Sequence, residues 1–175
     1  EQRGAESLAI SLSLLERTPN DTALMRLAGL TLLSMRRPAE ALVWQRRAQA
    51  LDPRSSSGER QIGLSLMGLG RLQEAREHYR KTIESFPRFF LNYDDLASLE
   101  TEGAGRWPEG VEWLLHGMEV SPMAVLADSL AVASARLGLH ARAAEWVERH
   151  AKLASAGNNA ALRAAIARVE GDPAE

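Results

Sequence analysis

The sequence predicts an all-α fold of the α-solenoid class, a stack of antiparallel helix pairs with about ten helices. The first observation is a regular series of helix breakers, because Pro19, Pro53, Pro87 and Pro122 are 34, 34 and 35 residues apart. The second is that apolar residues between these prolines recur at helical spacing. A fixed period of this length is typical of helix pairs that pack on their neighbours. We therefore interpret 1–175 as a single repeat domain.

Each period holds two predicted helices with recognisable ends. In the first complete unit, Asp21 is placed to cap the first helix through its free amides. Pro38 begins the second helix, where a missing N–H costs nothing, and Asp52-Pro53 ends it. The remaining predicted segments are a partial repeat at 1–20 with a helix near 5–17, repeats at about 22–55, 56–89, 90–124 and 125–157, and a capping helix at about 158–170.

One segment departs from the period. The third unit has predicted helices near 90–101 and 108–120, and residues 102–108 between them supply the one additional residue. Glycines give this segment backbone freedom, and Trp107 is placed to pack back onto the helix that follows. The favoured interpretation is a tolerated surface insertion, and the alternative is a hinge or contact loop.

These residues resemble the tetratricopeptide repeat (TPR), whose pattern is W-x2-L-G-x2-Y, then A-x3-F, then P, over 34 residues. The matching positions are Ala28-Gly29, Leu32, Ala41, Ala48 and Pro53 in the first unit, Ile62-Gly63, Leu66, Ala75, Tyr79 and Pro87 in the second, Tyr93 and Leu96-Ala97 in the third, and Gly138, Ala143 and Val147 in the fourth. The third unit has Gly110 where the pattern has alanine. The resemblance implies a right-handed superhelix whose first helices line a concave face.

Given that resemblance, residues one period apart occupy the same slot on successive first helices. The predicted binding residues of the concave groove are Arg26, Leu30, Leu33, Arg60, Leu64, Met67, Asp94, Ser98 and Thr101. Residues in the same slot of successive first helices form a column, and the residues above form three columns. When the additional residue is counted, these columns continue on the next first helix at Ser129, Ala133 and Arg136. The apolar positions suit a peptide or partner helix with large apolar anchors, and the arginines suit a carboxylate of that guest. The alternatives are ordinary helix packing for the leucines and an Arg60–Asp94 pair.

One specialised mode of the family is not expected here. Co-chaperone members bind an acidic C-terminal tail through lysine, asparagine and arginine side chains. The corresponding positions are Arg26, Leu30, Gln61, Leu91 and Asp95. Only the first fits, and the carboxylate of Asp95 would repel such a tail, so the sequence argues against this mode.

Tryptophan recurs in one slot of the second helices. Trp44, Trp113 and Trp146 each follow the small residue of the helix by three positions, and the second unit has His78 there. We expect these rings to fill gaps between neighbouring units, with a docking stripe on the outer face as the alternative.

Composition and motifs argue against several classes of function. A net charge of −2 argues against nucleic acid as a partner, and no apolar run reaches the length needed for membrane insertion. There is no cysteine, and His78, His116, His140 and His150 lack metal-binding spacing. No phosphate loop or nucleophile motif occurs, so we predict no catalytic residue, no metal site and no cofactor.

The sequence therefore predicts a non-enzymatic module that binds a protein or peptide. The rival hypothesis is an accessory domain of a larger bacterial enzyme, such as a glycosyltransferase or sulfatase, that docks substrate or assembles subunits. The start at Glu1 instead of methionine favours a fragment of a longer chain. Self-association through the first or last helix is a further possibility.

Overall fold

The computed structural model describes residues 2–154, and within this range every regular element is helical. The helices are α1 (Gln2–Arg17), α2 (Thr22–Ser34), α3 (Pro38–Leu51), α4 (Ser56–Gly68), α5 (Leu72–Ser85), α6 (Leu91–Ser98), a π-helical segment (Leu99–Gly103), α7 (Trp107–Val120), α8 (Ala124–Arg136) and α9 (His140–Leu153). The all-α prediction is confirmed. The predicted capping helix at about 158–170 lies outside the described residues.

Local side-chain chemistry sets the helix ends. The carboxylate of Asp21 accepts hydrogen bonds from the amides of Ala23 and Leu24, at 2.9 and 3.0 Å, and so caps α2. Pro38 is the first residue of α3, as its missing N–H predicts. The hydroxyl of Ser55 caps α4 by accepting from the amide of Gly58 at 3.1 Å.

The chain forms two compact units, Glu1–Phe86 (unit 1) and Pro87–Glu175 (unit 2). In unit 1, α1 packs on α2, α2 on α3, α3 on α4 and α4 on α5, and α2 also contacts α4. In unit 2 the sequence of contacts is α6 with α7, α7 with α8 and α8 with α9, and α6 also contacts α8. Packing on sequence neighbours is what a stack of helix pairs requires. The division of the chain into particular repeats stays a prediction.

Small residues allow the two helices of a pair to approach closely. Gly63 on α4 faces the buried ring of Tyr79 on α5, and a Cβ on Gly63 would lie 2.4 Å from Cζ of that ring. That distance is far inside carbon–carbon contact, which begins at about 3.5 Å. The close approach of the Tyr79 ring therefore explains why this position of the α4–α5 pair is glycine.

The additional residue of the third unit lies inside a helix. Residues Leu99–Gly103 form a π-helix, in which each turn holds one more residue than an α-turn. The prediction of an irregular segment from 102 onward is therefore wrong for residues 102 and 103. Glu100, only 1% exposed, accepts a 2.8 Å hydrogen bond from Nε of Arg106 and so anchors the end of the segment. The next helix, α7, begins at Trp107, with Pro108 as its second residue.

Candidate binding surfaces

A cavity of about 210 Å³ opens between α6, the π-helical segment and α8, and we call it the unit 2 cavity. Three predicted binding residues, Asp94, Ser98 and Thr101, line it. Their column partners across the additional residue also line it, namely Ser129, Ala133 and Arg136. The hydroxyl of Ser129 donates to Oδ1 of Asp94 at 2.5 Å, which joins two positions that the period had placed in the same column. The structure thus brings the predicted binding positions of two first helices to one cavity.

The rest of the cavity wall is apolar. Leu114 of α7 and Ala97 of α6 are buried beneath it, and Val132 of α8 is half-buried at its side. Trp107, at the start of α7, supplies an aromatic wall. The sequence had predicted that this ring packs back onto its own helix, and the structure places it on the cavity.

The unit 2 cavity carries charged side chains on its wall. Among residues 2–154, Asp94, Glu102, Asp128 and Arg136 line it. Burial raises the pKa of the Asp128 carboxyl, and the neighbouring negative charge of Asp94 raises it further, while His150 acts in the opposite direction. Two carboxylates therefore influence each other at this site.

Sequence reasoning missed Asp128 and its partner. His150 is a residue only 1% exposed; its Nδ1 pairs with Oδ1 of Asp128 and lies 3.3 Å from the carbonyl oxygen of Ala124. The signal for Asp128 was its position one full 34-residue period after Asp94. Counting the additional residue into the column selected Ser129 instead, and both neighbours line the cavity.

Unit 1 presents an apolar surface on α2 and α4. Leu30 is 42% exposed on α2, and Leu33, Leu64 and Met67 are half-buried. Leu27, also on α2, is 46% exposed. It precedes Leu30 by three positions and so lies on the same side of α2. We call these five residues the unit 1 apolar strip.

The two predicted arginines of unit 1 are both half-buried. Nη1 of Arg26 lies 3.0 Å from Oδ2 of Asp52, and its Nη2 donates to the hydroxyl of Thr22 at 3.2 Å. A guest carboxylate at Arg26 would therefore compete with Asp52. Arg60 lies on α4.

Within residues 2–154, no group of three or more histidine and acidic side chains is arranged to hold a metal ion. No helix in that range combines the length and the apolar character that crossing a membrane requires.

No protein-family profile matches the chain, and no curated protein sequence is significantly similar to it. Solved structures do match. TTC0263, a thermophilic TPR protein of Thermus thermophilus, superposes with a TM-score of 0.78 at 17% identity, over 96% of this chain and 91% of that one. A tetratricopeptide repeat protein from Parabacteroides merdae gives 0.78 at 14% identity, over 98% and 66%. YrrB, a TPR protein with an unusual peptide-binding site, gives 0.59 at 14% identity, over 93% and 84%. The chain has the TPR fold.

In the predicted TPR units, α2, α4, α6 and α8 are the first helices and α3, α5, α7 and α9 the second helices. The unit 1 apolar strip lies entirely on first helices, α2 and α4. The unit 2 cavity is lined chiefly by first helices, α6 with its π-helical extension and α8. Both surfaces therefore occur where the TPR resemblance places guest binding.

Two of the recurring tryptophans of the second helices, Trp44 and Trp146, pack against clusters of buried residues. Trp44 packs against buried residues of α1, α2 and α3, and Trp146 against buried alanines of α8. Arg47 lies 5.6 Å from the ring centre of Trp44, and Arg149 5.1 Å from that of Trp146. The prediction that the ring fills a gap between neighbouring units is therefore confirmed for Trp44, which contacts α1 as well as its own unit, whereas the core beneath Trp146 belongs to its own unit. Trp113 stacks with His116, with ring centres 6.1 Å apart.

Proposed function

We propose that this chain is a non-catalytic protein-interaction module that binds a peptide or partner helix on its first helices. The observation that carries the proposal is the unit 1 apolar strip, since Leu27 and Leu30 are each more than two-fifths exposed on a helix whose core positions are already filled. The TPR fold supports it, as does YrrB, a similarly folded protein described as having a peptide-binding site.

The strip can supply useful binding energy. Fully burying a leucine is worth roughly 1.5–3 kcal/mol, so covering the exposed two-fifths of Leu30 contributes about 1 kcal/mol. Leu27 adds a similar amount, and together they correspond to about a thirtyfold gain in affinity. Leu64 and Met67 extend the apolar surface onto α4, and the thioether of methionine adapts to guests of different shape. An amphipathic helix or an extended peptide with two apolar anchors fits this surface.

The experiment selects peptides from a displayed random library against the wild-type chain and measures their affinities for three variants. We expect Leu30→Glu and Leu64→Glu to weaken binding by about tenfold or more, because each removes apolar area and adds a carboxylate that must be desolvated. Val43→Glu is the matched control, since Val43 is 67% exposed on the second helix α3. Circular dichroism establishes that all three variants stay folded.

The result that would contradict the proposal is the reverse pattern. If the selected peptides bind Leu30→Glu and Leu64→Glu as they bind wild type and lose affinity only for Val43→Glu, the interaction surface lies on the second helices. If no peptide is selected against the wild-type chain, the strip is a packing surface only.

A further inference from the structure

Helix α1 carries an exposed apolar patch on a side that does not face α2. Leu8 and Leu15 are buried, and they belong to clusters that include residues of α2. Ile10 lies about 200° around the helix from Leu8 and is 62% exposed, and Leu14 is 42% exposed. Residues four apart are neighbours on a helix surface, so Ile10 and Leu14 form one patch. The packing of α1 on α2 leaves this patch uncovered.

Side chains of opposite charge lie at the two ends of the patch. Glu6 precedes Ile10 by four residues and Arg17 follows Leu14 by three, so both lie on the same side of α1 as the patch. Both residues are exposed, and within residues 2–154 neither side chain forms a hydrogen bond or an ion pair. We call Glu6, Ile10, Leu14 and Arg17 the α1 surface.

The order of the charges makes the α1 surface complementary to a second copy of itself. When two α1 helices lie antiparallel with Ile10 of each copy against Leu14 of the other, Thr18 of one copy lies opposite Glu6 of the other. Arg17 is the preceding residue, only about 1.5 Å away along the helix axis. The long side chains of glutamate and arginine span that offset. Two Glu6–Arg17 pairs therefore flank four apolar side chains.

Other arrangements of two α1 helices do not match the charges. Parallel helices in register would place Glu6 against Glu6 and Arg17 against Arg17. Antiparallel helices centred on Ile10 would place Arg17 opposite the exposed Arg3. Both arrangements bring like charges together, which disfavours association. The charges therefore select the arrangement in which Ile10 contacts Leu14.

We propose that the chain forms a homodimer through the α1 surface, with the two α1 helices antiparallel. The contact is isologous, because each copy uses the same surface, and it therefore closes at two copies. Burial of Ile10 and Leu14 in both copies supplies the driving force. One pair of helices buries little area, so we expect a weak dimer with a dissociation constant on the order of 0.1 mM. This proposal goes beyond peptide binding, which uses α2 and α4.

The test is sedimentation equilibrium of the full chain, from about tenfold below to about tenfold above that dissociation constant. The mean mass of the wild type should rise from that of a monomer towards that of a dimer. Ile10→Ser removes apolar area from both copies and should weaken association about tenfold or more. Val43→Ser is the matched control, because Val43 is 67% exposed but lies on α3, and its association should equal that of wild type. Circular dichroism checks that each variant is folded.

Exchanging the charges tests the orientation of the two helices. Glu6→Arg converts both Glu–Arg pairs of the dimer into Arg–Arg pairs, and Arg17→Glu converts both into Glu–Glu pairs. Each variant alone should therefore associate about tenfold more weakly than wild type. In an equimolar mixture of the two variants, the heterodimer again has a glutamate across from every arginine. The mixture should associate as tightly as wild type, and so should the double variant Glu6→Arg/Arg17→Glu.

Three results would overturn the proposal. The first is a monomer mass for the wild type at every concentration, and the second is equal association of wild type and Ile10→Ser. The third is a mixture of Glu6→Arg and Arg17→Glu that associates no better than either variant alone, since α1 would then not meet α1. None of these results bears on the unit 1 apolar strip, whose own variants, Leu30→Glu and Leu64→Glu, test peptide binding separately.

Discussion

Replacing Gly63 with alanine is the most direct test of the packing that defines a helix pair. The added Cβ would lie 2.4 Å from Cζ, 2.6 Å from Cε1 and 2.8 Å from the hydroxyl oxygen of Tyr79. Ordinary contact begins at about 3.5 Å, so the helix or the ring must move by about 1 Å. The ring is fully buried and its atoms are rigidly joined, so it cannot turn aside as a flexible side chain would.

Two opposing terms set the expected magnitude. Forcing extra atoms into a packed core costs about 1–3 kcal/mol. Alanine is favoured over glycine within a helix by up to about 1 kcal/mol, and this term stabilises the variant. Because the overlap involves several atoms of a buried ring, we expect the packing term to dominate. The free energy of unfolding should fall by about 1–2 kcal/mol.

The assay is urea unfolding followed by circular dichroism, with Gly4→Ala as the matched control. A Cβ on Gly4 would meet only the flexible side chain of Met35, at 3.1 Å, so this variant should be neutral or slightly more stable. Combining Gly63→Ala with Tyr79→Leu removes the overlapping ring, and the double variant should lose less stability than the two single changes added together. A Gly63→Ala chain as stable as wild type would refute the steric argument.

Two further predictions concern a helix cap and the half-buried carboxyl of Asp128. Asp21→Ala removes the acceptor for two amides of α2 and should lower the free energy of unfolding by about 1 kcal/mol, seen as an earlier urea midpoint; an unchanged midpoint would show that the cap is dispensable. Asp128 has a raised pKa in the folded chain, so the native state binds its proton more tightly than the unfolded chain does. Stability should therefore fall as the pH rises above the usual aspartate range, and Asp128→Asn should remove that part of the fall. Identical pH profiles for wild type and variant would contradict this.

The helices could be predicted because their ends are set by neighbouring residues in the sequence. Asp21 reaches amides two and three residues away, and Pro38 occupies the first position of α3. A breaker or a cap acts over a few residues, so its effect is visible without knowledge of the fold. The period of 34 residues then predicted the α-solenoid class, and the TPR fold confirms that class.

The candidate surfaces could be predicted in part, because they depend on contacts between helices. The period correctly brought Asp94 together with Ser129, whose side chains are hydrogen-bonded. The period did not indicate Asp128, because it selects only one residue on each helix. The cavity is lined by two adjacent residues of α8, Asp128 and Ser129. The period also did not show that Leu27 is exposed, since the outward and inward sides of α2 carry similar residues.

Two departures from the TPR pattern in the third unit are parts of one arrangement. The first is the additional residue, which the π-helical segment Leu99–Gly103 contains; the second is Gly110, which stands where the pattern has alanine. A Cβ on Gly110 would lie 2.4 Å from Cγ2 of Thr101 and 3.0 Å from the carbonyl oxygen of Ala97. The π turn brings Thr101 against α7, and only glycine leaves room for it there.

The same turn places Thr101 and Glu102 on the wall of the unit 2 cavity. A regular unit with alanine at 110 could not keep this packing, because the alanine Cβ would overlap Thr101. The third unit departs from the repeat pattern in two places that contact each other, the π-helical segment and Gly110. Its local packing therefore differs from that of a regular TPR unit. Such departures are expected at functional sites, and π-helical turns often occur there. The unit 2 cavity is therefore found in the unit whose sequence departs from the pattern at these two positions.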